Sequence, residues 1–101
     1  SKLNVFLKSK TFLELLKFLI ESIIPKHKYI DVFYNGIGFE IVDENNNIIS
    51  FNNTGNPEAN LISGLISLAP KTINLHCAGM LSDNTFKIIY YIFNKKVNLL
   101  V

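Results

Sequence analysis

The chain contains no arginine, no tryptophan and no glutamine, and it has a single cysteine, Cys77. Each absence narrows the chemistry. Arginine supplies the planar fork that grips phosphate and guanine edges with two bonds at once, and lysine replaces its charge but not its geometry. Ten lysines against eight acids leave a net charge of only +2, which argues against a nucleic-acid partner. One cysteine forms no internal disulfide and makes no zinc site with ligands at set spacings. No uncharged run at the N-terminal end reaches the length of a membrane span or a signal peptide, because Lys8, Lys10, Glu14 and Lys17 interrupt it. The expectations are therefore a cytosolic location, no membrane, no metal and no cofactor. Asn52-Asn53-Thr54 spells a glycosylation sequon, which has no meaning without secretion.

What is present is apolar. In 101 residues, 49% are hydrophobic and 18% are charged, the balance of one folded domain covering residues 1–101. No linker, repeat or low-complexity stretch divides it. The wealth of Asn, Ile and Lys matches the coding bias of an AT-rich genome, so clusters of Asn are not read as sites.

The apolar spacing predicts an order of β-α-β-β-β-α-β-α-β, an α/β domain with a mixed sheet and helices on the sheet faces. Leu3 to Leu7 reads as a strand. Thr11 and Glu14 fit a capping box, and Phe12, Leu15, Leu16, Leu19, Ile20 and Ile23 recur at helical spacing. Pro25 closes that helix. Residues 28–51 form an antiparallel meander: strands at Lys28–Tyr34, Ile37–Val42 and Ile48–Phe51. Asn35-Gly36 is expected as a two-residue hairpin turn. Asn56-Pro57-Glu58 starts the second helix with a capping side chain, a proline at the first turn and an acid near the positive dipole end. Thr72–Cys77 is the next strand. Ser82 or Asp83 caps the third helix, which runs to about Asn94, and Val97–Val101 reads as a last strand, apolar enough to be buried on both faces. Strands that follow helices favour parallel pairing. All three helices carry wide apolar stripes, so coverage of both sheet faces is open to them.

Cys77 is the first chemical candidate, because it ends a strand where open α/β sheets gather their ligands. A helix N-terminus close by lowers a thiol pKa. His76 is its neighbour in sequence but points to the other face of a strand, which leaves His27 as the remaining base. Burial as a small hydrophobe is the competing reading of Cys77. The pattern of one strand ending in Tyr34-Asn35-Gly36, a helix, and a strand ending in Cys77-Ala78-Gly79 resembles the caspase-like cysteine peptidases. The resemblance implies a base at the end of the first strand and a nucleophilic cysteine at the end of the second. Asn35 stands where that base histidine would be, so the resemblance implies an inactive site. Phosphate loops are missing: Gly36-Ile37-Gly38 precedes a strand rather than a helix.

Asp31, Glu40, Asp43 and Glu44 give the meander an acidic outer side, whereas Lys8, Lys10 and Lys17 lie near the first helix. That split suggests a dipolar surface able to steer a partner. Tyr29, Phe33, Phe39, Phe51, Phe86, Tyr90, Tyr91 and Phe93 are assigned mostly to the core, with one of Tyr90 and Tyr91 more exposed. The candidate partner-binding residues are therefore Asp31, Glu40, Asp43, Glu44 and Tyr91. The functional expectation is a small non-catalytic protein-binding module, in its narrower form an immunity or antitoxin-like protein that neutralises a toxin by covering it. The alternatives are a diverged cysteine hydrolase using Cys77, and self-assembly through an edge strand or a helix face.

Overall fold

The computed structural model describes residues 10–49 and 55–100. The strand expected at Leu3–Leu7, Phe51, the sequon and Val101 lie outside them. The elements are α1 (Lys10–Ser22), β1 (Ile30–Tyr34), β2 (Phe39–Asp43), β3 (Ile48–Ile49), α2 (Pro57–Leu68), β4 (Ile73–Leu75), α3 (Asp83–Phe93) and β5 (Val97–Leu99), with 3-10 turns at Ala78–Met80 and Asn94–Lys96. The five strands form one open mixed sheet in the order β3-β2-β1-β4-β5. β1 pairs antiparallel with β2, and β2 with β3, whereas β1–β4 and β4–β5 are parallel. The α/β domain and its meander are as the spacing predicts.

The chain steps across the sheet in one direction, from β1 to β4 and from β4 to β5. Right-handed crossovers taken in one direction put both connecting helices on the same side. Burial agrees. Ile30, Val32, Ile41, Ile73 and Leu75 are completely buried and share one cluster with Leu61 and Leu65 of α2, Ile89 and Ile92 of α3 and Ile20 of α1. Register places Asp31, Phe33, Glu40, Val42, Asn74 and Asn98 on the opposite face, where none of them is buried. The described helices thus use one face of the sheet, and their wide stripes are partly spent on helix–helix contact, α1 on α3 and α2 on α3.

Local chemistry explains most boundaries. Asn56 caps α2 by accepting from the N–H groups of Glu58 and Ala59, and Pro57 occupies the first turn. Ser82 caps α3 through Thr85 N–H. α1 begins at Lys10, so Thr11 lies inside the helix rather than ahead of it.

Further expectations change. The β1–β2 connection is not a two-residue turn, because Tyr34 pairs with Phe39 and residues 35–38 form the loop. Asn35 Oδ1 accepts from the N–H groups of Ile37 and Gly38, and Gly36 takes a φ of 95°, which glycine adopts without strain. Ile37 is therefore at the tip, exposed, and not in β2. Among the described strands β5 lies at the edge, with Leu99 and Leu100 exposed, not buried on both faces. Among the described aromatics only Phe39 and Phe93 are buried. Finally, of the six apolar residues assigned to one stripe of α1, only Ile20 is buried.

One contact ties α2 to α3. Both carboxylate oxygens of Glu58 are used: Oε2 accepts from Ser82 N–H at 2.8 Å, and Oε1 from the hydroxyls of Ser82 and Thr85 at 2.7 Å each. Glu58 therefore caps its neighbour's helix as well as standing in the first turn of its own. Desolvation raises its pKa, but these hydrogen bonds together outweigh that and hold it below 4.5. A carboxyl lowered on folding stabilises the fold above its unfolded pKa, and the contribution is lost as pH falls through the folded value. Glu58→Gln is expected to cost about 1–2 kcal/mol at pH 7 in denaturant unfolding, and to lose less stability than the parent below pH 4.5. A variant as stable as the parent at neutral pH contradicts this role.

Candidate functional site

β4 ends at Leu75, and His76 N–H still donates to Val32 O on β1 at 3.0 Å. Cys77 follows as the entry to the 3-10 turn, its carbonyl accepting from Met80 N–H at 2.9 Å. The side chain joins the core cluster and is 5% exposed. Desolvation pushes the thiol up to about 11, only slightly opposed by a backbone hydrogen bond. The N-terminus of α3 is already capped by Ser82 and Glu58.

No imidazole serves this thiol. His76 lies on the open face of the sheet, where Nε2 is 2.8 Å from Asp31 Oδ1 and the ring stacks on Phe33 with centroids 4.4 Å apart. His27, the remaining candidate base, has Nδ1 3.0 Å from Glu44 Oε1. Asn35 does stand at the end of β1, the parallel neighbour of β4. Its side chain is held by its own turn.

The acidic candidates do not form one patch. Asp31 faces His76. Glu40 sits opposite Phe33 in the β1–β2 register. Asp43 Oδ1 accepts from the N–H groups of Asn45 and Asn47 and so shapes the β2–β3 turn, where Asn46 takes a φ of 64°. Glu44 accepts from Lys28 N–H as well as meeting His27, and the His27 contact, first, and the Lys28 amide, second, lower its pKa. One ligand atom from each of His27, Asp43 and Glu44 lies within 4.8 Å of the others, a grouping the sequence spacing does not reveal. Within it His27 Nδ1 meets Glu44 Oε1, Glu44 Oε2 accepts from Lys28 N–H, and Asp43 Oδ1 is taken by the turn amides. Tyr91 lies in the helix layer on α3, with Lys17 Nζ 5.1 Å from its ring centroid.

Leu15 and Leu19, expected in the apolar stripe of α1, are exposed together with Phe18, which that stripe did not include. Leu15 (51% exposed), Phe18 (65%) and Leu19 form a ridge on the outer side of α1, extended past its end by Ile23 and Ile24. Residues spaced three and four apart share a helix face, so these side chains are contiguous. The inner side of α1 rests on α3, with Ile20 buried and Leu13 and Leu16 packed against the core. The clue in the sequence was the width of the stripe: a helix with apolar residues on most of its circumference either is surrounded or leaves one side uncovered.

The model of the YtxC-like family matches residues 8–98. The chain belongs to the YtxC-like family. The match runs from α1 into β5, so the elements of this YtxC-like domain described above, ridge included, are family territory. No curated protein and no solved structure matches the chain. No helix among the described residues is long and apolar enough to cross a membrane.

The Cys77 environment makes a direct prediction. Raising a thiol from 9.0 to about 11 leaves about 100-fold less thiolate at neutral pH. Iodoacetamide should label native Cys77 at least tenfold more slowly than a free thiol peptide at pH 7.5, and normally once the domain is unfolded in urea. Labelling as fast as the free peptide in the native state contradicts a buried, neutral thiol.

Proposed function

We propose that this domain is a non-catalytic protein-docking module whose contact surface is the outer side of α1. The ridge of Leu15, Phe18 and Leu19 carries the reading. Contiguous apolar surface of this kind marks an interaction site when it lies on a monomer's exterior. Covering the exposed half of each side chain is worth about 1 kcal/mol apiece, enough in sum for a weak specific contact once the cost of association is met. The acidic groups contribute less to this picture, because Asp31, Asp43 and Glu44 already hold contacts within the chain. The module works in the cytosol in this reading, where a lone Cys77 stays reduced.

The competing reading, a diverged hydrolase using Cys77, draws no support from a thiol that is buried, neutral and without an imidazole beside it. In the narrower form of the docking reading the covered partner is a toxin, and the domain acts as its immunity or antitoxin-like protein.

A photo-cross-linking amino acid at position 18, in the chain expressed in its native host, tests the proposal. The expected product is a protein adduct of discrete mass, absent when the cross-linker is placed at exposed Ile37 in the β1–β2 loop. Activity of the captured partner, measured with and without the domain, separates an immunity role from simple docking. Absence of any protein adduct at position 18 contradicts the proposal.

A further inference from the structure

Asn35-Gly36 is the one place in the chain where glycine follows asparagine. A backbone nitrogen can attack the side-chain carbonyl of the asparagine before it, and it does so most readily when its own residue has no Cβ in the way. The β1–β2 loop arranges the groups this reaction needs. Asn35 Oδ1 accepts from the N–H groups of Ile37 and Gly38, at 3.0 Å each. Two backbone donors on one carbonyl oxygen draw electron density from Cγ and stabilise the negative charge that an attack places on that oxygen. Gly36 N–H, the nucleophile, donates to no partner among the described residues, and neither does Asn35 Nδ2, the leaving group. Both residues are exposed, and nothing lies within 4 Å of the place a Cβ on Gly36 would take. No packing therefore resists movement of the Gly36 backbone toward Cγ.

The β2–β3 turn lacks this arrangement. Asn45 and Asn46 are also exposed, but the next residue in each case carries a side chain, and its amide is committed. Asn46 N–H donates to Asp43 O at 3.0 Å, and Asn47 N–H to Asp43 Oδ1 at 2.9 Å.

We propose that the β1–β2 loop is a site of self-modification, at which Gly36 closes on Asn35 and converts it to aspartate and isoaspartate without an enzyme. Solvent base removes the Gly36 amide proton. The nitrogen bonds to Asn35 Cγ, and the carbonyl electron pair moves onto Oδ1. The oxyanion then collapses, the Cγ–Nδ2 bond breaks, and Nδ2 takes a proton from water and leaves as ammonia. One water opens the resulting five-membered imide. Addition at Cγ gives aspartate, and addition at the Asn35 backbone carbonyl carbon gives isoaspartate, so the net change is one water in and one ammonia out. Either product adds a negative charge to the loop. Aspartate keeps an oxygen to accept from Ile37 and Gly38. Isoaspartate lengthens the main chain by one carbon inside a loop closed by Asn35 N–H on Gly38 O, and so disturbs the Tyr34–Phe39 end of the hairpin. Neither residue belongs to the α1 ridge, so the proposal is independent of the docking reading.

Incubation of the full chain at mildly alkaline pH, followed by peptide mass spectrometry with chromatographic separation of the isoaspartyl product, tests this. Circular dichroism verifies that the chain is folded throughout. In the native chain Asn35 should convert within about tenfold of its rate in a free peptide spanning Val32–Ile41, because the two donors on Oδ1 offset the confinement of the loop. It should convert at least about tenfold faster than Asn45 or Asn46 in the same sample, where a Cβ follows. A native chain that keeps Asn35 intact while the free peptide is consumed overturns the proposal, as does conversion at Asn45 or Asn46 as fast as at Asn35.

Discussion

The pairing of β1 with β4 is the constraint on which the rest of the molecule depends. Ile30 and Val32 lie directly beside Ile73 and Leu75, and all four are completely buried. Parallel strands need a crossover connection, so this one pairing obliges the chain to bring α2 over the sheet before β4 forms. The next pairing, β4 with β5, repeats the step in the same direction with α3. Two such steps place α2 and α3 on one face of the sheet. α1 packs on α3, held by Ile20 in the shared core and a few half-buried neighbours. Its outer side, with Leu15, Phe18 and Leu19, is left exposed among the described residues.

The polar interactions follow the same division. Contacts that organise the fold are made at element ends: Asn56 and Ser82 at helix starts, Asn35 and Asp43 in strand turns, Glu58 between two helices. The two histidine–carboxylate pairs lie on the open side or at the rim, partly exposed, where such pairs contribute little to stability. His27 and His76 are engaged by Glu44 and Asp31 rather than by Cys77. Cys77 contributes as a core side chain, and its position at the end of a parallel strand is shared with catalytic groups of other α/β proteins without their surroundings.

How much of this was legible in the sequence depends on the range of the interaction. Helix starts written in three consecutive residues, such as Asn56-Pro57-Glu58, read correctly because the capping groups and the amides they satisfy are neighbours. The mixed sheet read correctly because alternation in β1 and the helix-then-strand order are regional patterns. The Asn35-Gly36 turn did not, since its length is set by Tyr34 pairing with Phe39 across the strands, and the local signal for positive φ fits a longer loop equally well. β5 was read as buried because its residues are apolar, yet burial depends on being central in the sheet, and strand order is a property of the whole chain. Glu58 with Ser82, and Asp31 with His76, join residues 24 and 45 positions apart, beyond any spacing rule. Leu15 and Leu19 were grouped with buried Ile20 for a related reason: periodicity shows which side chains share a helix face, but not how many faces find a neighbour.

Amide hydrogen exchange tests the central claim that the β1–β4 pairing is the foundation of the fold and that α1 is packed less deeply. The account predicts that the amides of β1 and β4 exchange slowest, at the rate of global unfolding, and that those of Lys10–Ser22 exchange faster. Amides in α1 protected as strongly as those of β1 and β4 would contradict it.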